Sequence, residues 1–329
     1  VPETFAAADA VELAVVERSG FVESRHTGSA IVLSPGGEVA MRLGDVTTPI
    51  LPRSSLKPVQ ALACLSAGAP LEGERLGLAT ASHNGTDRHV SVVRDILDSA
   101  RLGENDLGCP AAWPSDSTTR DELVREHAEP ARIRMNCSGK HAAMLLTCVV
   151  NGWDTATYLD AGHPLQLHIR EVTERLTGDK IAATAIDGCG APVFAMSLFG
   201  LVRAIHRIGN SSTTSPFALH RHAGALVQAV RANPWTIEGP GGSDTAVIER
   251  LGVFAKRGAE GVMVMVAPDG TTVALKVLDG SGRAATAVAL RLLERAGALP
   301  ASDVADAMSR LPLSITGGGR DVGAIRPAF

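Results

Sequence analysis

Apolar positions along this chain follow two periods, and the changes between them mark the elements. Short β-branched blocks at Glu12–Glu17, Ser29–Leu33 and Glu38–Arg42 read as strands. Ser34-Pro35-Gly36-Gly37 is a turn sequence, so the last two should form a hairpin. Helical spacing follows from about Leu56 to Ala67, stopped by Gly68, and from Thr86 to Ala100, where Thr86 or Asp87 can cap. Leu76–Ala81 reads as a buried apolar segment, whereas Arg101–Arg132 is polar and loop-rich. Helical patterns return at Gly139–Asn151, Pro164–Leu176, Ala195–Arg207, Pro216–Arg231 and Asp244–Arg250. Gly261–Ala267 and Thr271–Leu278, split by Pro268-Asp269-Gly270, predict a second hairpin. Helices at about Arg283–Ala296 and Ser302–Ser309 close the chain.

Strands near both ends with helices between them predict one sheet assembled from distant segments. The expected class is mixed α/β, in the α+β sense. No repeat, low-complexity tract or linker appears, so residues 1–329 are expected to form one domain, with a helical block at about 86–180 inserted between sheet segments.

Composition narrows the function. Apolar residues make up 45% and charged ones 20%, enough for a substantial core, but aromatics only 3%. The net charge of −4 offers no excess of cations for phosphates, and few aromatics are present for base stacking, so nucleic acid is not expected as a partner. No apolar run suggests a membrane span, and Val1-Pro2-Glu3-Thr4 does not read as a leader. Five cysteines, an odd number in so long a chain, argue against a disulfide framework, and a reducing cytoplasm is the expected compartment.

The sharpest chemical feature is Arg53-Ser54-Ser55-Leu56-Lys57-Pro58. Proline is tolerated only in a helix's first turn, so Pro58 places the helix start near Ser54. Residues three apart share a face, which lets Ser54 meet Lys57. Serine needs a base, and a buried lysine beside another cation can be neutral enough to serve. A capping serine with a solvated lysine is the plainer reading of so short a motif. Ser82-His83-Asn84-Gly85 resembles a site wall, with a turn around a packed histidine as the alternative. Cys137 and Cys189 lie in glycine-flanked turns, with Lys140, His141 and Asp187 nearby in sequence. They could hold a soft metal such as zinc, but without a Cys-x-x-Cys or His-x-x-x-His spacing two buried free cysteines are the commoner reading. Lys256, in Ala255-Lys256-Arg257-Gly258-Ala259-Glu260-Gly261, is read as joining a helix to the penultimate strand.

Six segments in order carry a resemblance over nearly the whole chain. They are Phe21–Gly28, Arg53–Pro58, Ala81–Gly85, Asn136–His141, Asp187–Gly190 and Lys256–Gly261, and together they resemble the asparaginase II family of the Rhizobium type. The resemblance implies a sheet flanked by helices like those of serine β-lactamases and glutaminases, and hydrolysis of L-asparagine to aspartate and ammonia. It implies two catalytic serine–lysine pairs, Ser54 with Lys57 and Ser82 with Lys256. It also implies zinc on Cys137, Lys140 and Cys189, and a substrate site bordered by Arg53, His83, Asn84 and Asp187. The zinc is expected to be structural or to orient the substrate carboxylate. A homodimer is a further expectation. Gly242-Ser243-Asp244-Thr245 stands where relatives tend to carry Arg-x-Asp-Thr, a departure that bears on substrate preference. Other classes remain open: a glutaminase, a penicillin-recognising enzyme, though Lys-Thr-Gly and Ser-Asp-Asn elements are missing, or a non-catalytic zinc or amino-acid binding protein.

Overall fold

A computed structural model describes residues 3–329, so the leader question at Val1-Pro2 lies outside the described residues. In chain order the elements begin with β1 (Val11–Arg18), β2 (Phe21–Leu33), β3 (Val39–Leu43) and β4 (Pro49–Ile50). Helices α1 (Lys57–Ser66), α2 (Gly73–Ala79), α3 (Asp87–Ser99), α4 (Ser117–Arg125), α5 (Ser138–Asn151) and α6 (Pro164–Thr177) follow without an intervening strand. Next come β5 (Ala183–Ile186), β6 (Pro192–Ser197), α7 (Leu198–Gly209), α8 (Ala218–Ala232) and α9 (Ser243–Leu251). The chain closes through β7 (Phe254–Gly258), β8 (Val262–Val266), β9 (Thr272–Val277), α10 (Ala285–Arg295), α11 (Ala301–Met308), β10 (Ser314–Gly317) and β11 (Arg320–Pro327).

The fold is mixed α/β. The main sheet has the order β10-β11-β1-β2-β9-β8-β7, with β3 also paired to β2, and its pairings are antiparallel. It joins both ends of the chain, as the strand pattern predicts. Every residue of β8 and β9 is buried, because α7 and α10 both pack on these strands. That explains their continuous apolar run in place of alternation. A smaller sheet, β4-β6-β5, stands apart. Helix α1 is buried from Lys57 to Leu65, packed among α5, α6 and α8, so the residue at its first position cannot reach bulk solvent. Among the described residues no helix is long and apolar enough to cross a membrane.

Three expectations need correction. Ala195–Ser197 belongs to β6, not to a helix; Ser197 ends the strand and caps α7, its hydroxyl accepting from the Gly200 N–H at 2.8 Å. Lys256 lies within a strand, β7, rather than in a connection. The hairpin of β10 and β11 has no counterpart in the predicted elements.

Candidate active site

A short 3-10 turn, Arg53–Leu56, leads into α1, with Pro58 in the helix's first turn. Arg53 has φ +52°, a conformation costing a residue with a side chain about 1 kcal/mol or more. Its guanidinium is anchored on both sides: Nε donates to Asp187 Oδ1 at 2.7 Å, and Nη1 lies 3.8 Å from Glu260 Oε1. Strand β7 packs directly on this turn. A Cβ at Gly258 would lie 2.5 Å from the Pro52 carbonyl oxygen, so glycine is needed for that approach.

Ser82 follows α2 in a strapped segment. Its N–H donates to Ile237 O at 2.9 Å, that of His83 to Asn136 O at 3.1 Å, and that of Asn84 to Glu238 O at 2.6 Å. The Ser82 hydroxyl oxygen receives hydrogen bonds from both Lys57 Nζ and Lys256 Nζ, each at 3.0 Å. Lys57 also donates to the Ala81 carbonyl, and Lys256 to the Arg257 carbonyl at 2.7 Å. Each lysine is 1% exposed. Burial pushes Lys256 down to about 8; Asp244 opposes that shift, and the Lys57 charge adds to it. Asp244 is buried too, its Oδ2 4.0 Å from Lys256 Nζ and accepting the Arg257 N–H at 2.8 Å. Burial raises its carboxyl pKa, and its Oδ1 has no partner among the described residues.

The expected pairs therefore meet in a different arrangement. Ser82 contacts Lys256 as expected, but Lys57 also points to Ser82, and Ser54 Oγ has no hydrogen bond among the described residues. Both serines face one cavity of about 440 Å³, with Asn84, Ser115, Asn136 and Arg257 also on its walls. His83 is not on that wall. It is buried, Nδ1 accepting from the Gly85 N–H at 3.1 Å, which leaves Nε2 to donate to Ser138 Oγ at 2.9 Å. Burial holds its pKa well below the ordinary histidine value, consistent with a neutral ring. Arg53 and Glu260 line a neighbouring cleft of about 530 Å³. Burial pushes the Asp187 pKa up, but the Arg53 hydrogen bond and the Lys140 charge outweigh it and hold the carboxylate low.

Cys137, Lys140 and Cys189 also come together. Lys140 Nζ donates to Cys189 Sγ at 3.1 Å, and a hydrogen bond from Cys189 holds the Cys137 thiol well below its usual range. All three residues are buried. Among the described residues no three His, Cys, Asp or Glu side chains are grouped to hold a metal, because the third donor here is an amine. Two thiols and one amine, buried together, fit a zinc donor set once deprotonated. His141 lies outside the trio, its Nδ1 2.6 Å from the Tyr158 hydroxyl.

Sequence reasoning passed over Glu238, met Arg257 only as a neighbour of Lys256, and met Asp244 only as the start of a helix and part of the Gly242–Thr245 segment. Glu238 is 3% exposed, pairs with Arg257, and accepts the Asp244 N–H at 3.0 Å. A lone acid between Trp235-Thr236-Ile237 and the Gly239–Gly242 turn was the available signal for Glu238.

Several solved structures are similar to this chain at low identity. A protein named Mglu, in its native form, is 12% identical over 81% of this chain and 63% of its own, with a TM-score of 0.45. The chain thus spans less than two thirds of that protein. A putative β-lactamase from Bacteroides dorei is 13% identical over 81% and 93%, with a TM-score of 0.43. A Bacillus glutaminase is 12% identical over 82% and 91%, with a TM-score of 0.35. Among curated proteins no relative matches. The family described as L-asparaginase II matches residues 14–327.

Proposed function

From this chain's membership of the L-asparaginase II family, a family of amidase-type hydrolases, we propose that it hydrolyses the side-chain amide of L-asparagine through a serine acyl-enzyme. The observation that carries the reading is Ser82 Oγ, held at 3.0 Å by two buried lysines beside Ser54 in one cavity. Ser54 is the nucleophile, because it lines the cavity and no hydrogen bond among the described residues competes for its hydroxyl. As Ser54 Oγ attacks the amide carbon, its proton passes through the Ser82 hydroxyl to neutral Lys256. The same proton then goes to the leaving nitrogen, which departs as ammonia. Water hydrolyses the ester by the reverse relay, releasing aspartate and restoring Ser54. Burial and the neighbouring Lys57 charge are what let Lys256 be neutral near pH 8.

Cys137, Lys140 and Cys189 would hold zinc. When bound, the ion would cross-link the start of α5 and the Gly188–Gly190 turn, its charge balanced by the two thiolates. Asn136, next to Cys137, and Asp187, two residues from Cys189, would be held in place as a result.

Ammonia release from L-asparagine and from L-glutamine, and β-lactam opening of a penicillin, each measured separately on purified protein, test the substrate class. Turnover of L-asparagine at least about 10-fold above L-glutamine in kcat/KM is expected, since one methylene is worth about that in a fitted pocket. Preference for L-glutamine would reassign the substrate, and penicillin hydrolysis without ammonia release would reassign the class.

A further inference from the structure

The Asp279–Arg283 segment joins β9 to α10, and its Gly280 and Gly282 form part of the catalytic cavity wall. Next to that cavity lies a smaller cleft of about 220 Å³, which shares Arg257 and Gly282 with it and adds Ser243 and Arg283. A Cβ at Gly282 would meet nothing within 4 Å, so the space between the two is open there. Two arginines, Arg257 and Arg283, thus line one small cleft.

These arginines are held differently. Arg257 is paired with the buried Glu238. Arg283 forms no ion pair with a carboxylate among the described residues; its Nε donates instead to His26 Nε2 at 2.8 Å. Arginine Nε–H can only donate, so His26 Nε2 is the unprotonated nitrogen and its Nδ1–H donates to Asp279 Oδ2 at 2.8 Å. Chemistry fixes this tautomer. His26 is 3% exposed and sits in β2, which pairs with β9. The latch from Asp279 through His26 to Arg283 therefore ties the cavity wall to the sheet. It grips the guanidinium by one edge and leaves the terminal nitrogens without an acid. A hydrogen bond to arginine that uses neither a carboxylate nor a carbonyl oxygen orients the group without neutralising it.

We infer that Arg283, with Arg257, forms an anion subsite that takes the α-carboxylate of the amino-acid substrate. The choice of ligand rests on the amidohydrolase reading above. A carboxylate and a guanidinium match in shape and charge. In an amino acid with a side-chain amide the two functional groups are only a few bonds apart, so an amide at the serines leaves its carboxylate for the adjoining cleft. His26 is a positioning residue in this arrangement, since it acts through Arg283.

Titration calorimetry with L-aspartate, run on wild type and Arg283→Gln, tests the subsite without depending on turnover. The Kd should rise about 10–100-fold in the variant, the loss typical of a charge-assisted pair. KM for L-asparagine should rise similarly with kcat within about threefold, and affinity for L-asparaginamide, which lacks the carboxylate, should stay unchanged. His26→Gln should raise KM in the same direction by a smaller factor, again sparing asparaginamide. Unchanged aspartate binding in Arg283→Gln overturns the subsite, as does an equal loss for asparaginamide. Loss of aspartate binding on zinc removal, with Arg283→Gln silent, would place the carboxylate at the cysteine pair instead. Weakened aspartate binding in a protein that hydrolyses no amide would keep the subsite and reject the hydrolase reading.

Discussion

Lys57→Met is expected to lower kcat for L-asparagine by about 10³-fold or more while leaving the protein folded. Lys57 is 1% exposed at the start of a helix buried on all sides, and methionine fills nearly the same volume without a charge. Removing a buried ammonium also removes its desolvation cost, so thermal unfolding should not move down appreciably. Catalysis should suffer because Lys57 is one of two groups that hydrogen-bond Ser82 Oγ. The pH profile supplies a second readout. In wild type, kcat/KM should rise with pH through about 8, where Lys256 loses its proton and becomes a base. The Lys57 charge helps hold that pKa down. Without it, the Lys256 pKa rises, and the rising limb of any residual activity should shift to higher pH. A limb that moves to lower pH, or a rate within tenfold of wild type, would contradict the relay.

Ser82→Ala carries the next largest effect, a fall in kcat of about 10²–10³-fold with KM little changed. The hydroxyl is the point at which both lysines meet, and each lysine retains one carbonyl partner without it, so neither becomes wholly unsatisfied. Conversely, the path from Ser54 to a base is broken. Acylation should slow rather than vanish. Pre-steady-state ammonia release separates the outcomes: a slowed burst agrees with a relay role, and complete loss of acylation points to Ser82 as the nucleophile.

Much of the architecture was legible because local pattern and tertiary role agree. Thr86 stands before α3 as the N-cap, Pro58 fixes the start of α1, and Pro268-Asp269-Gly270 turns the hairpin that became β8 and β9. Misses arose where burial removes the periodic signal. Val193–Met196 is apolar throughout, and such a run fits a strand or a helix equally until Ser197 is noticed as a cap. Lys256 obscured β7, because a buried lysine in a strand is rare unless a site requires it. The candidate site was only half visible. Sequence brought Ser54, Lys57, Ser82 and Lys256 into view, but not that both lysines would converge on one hydroxyl. That depends on α1, the segment after α2, and β7 meeting in space. Asp244 and Glu238 were harder still, since what marks them is burial.

Mass spectrometry of the acyl-enzyme tests the central claim most directly. Wild type, Ser82→Ala and Ser54→Ala would be quenched in acid during turnover of L-asparagine and digested. The account predicts an aspartyl adduct on the Ser54 peptide in wild type, a slower-forming one in Ser82→Ala, and none in Ser54→Ala. An adduct that persists in Ser54→Ala, or that maps to Ser82 in wild type, would contradict it.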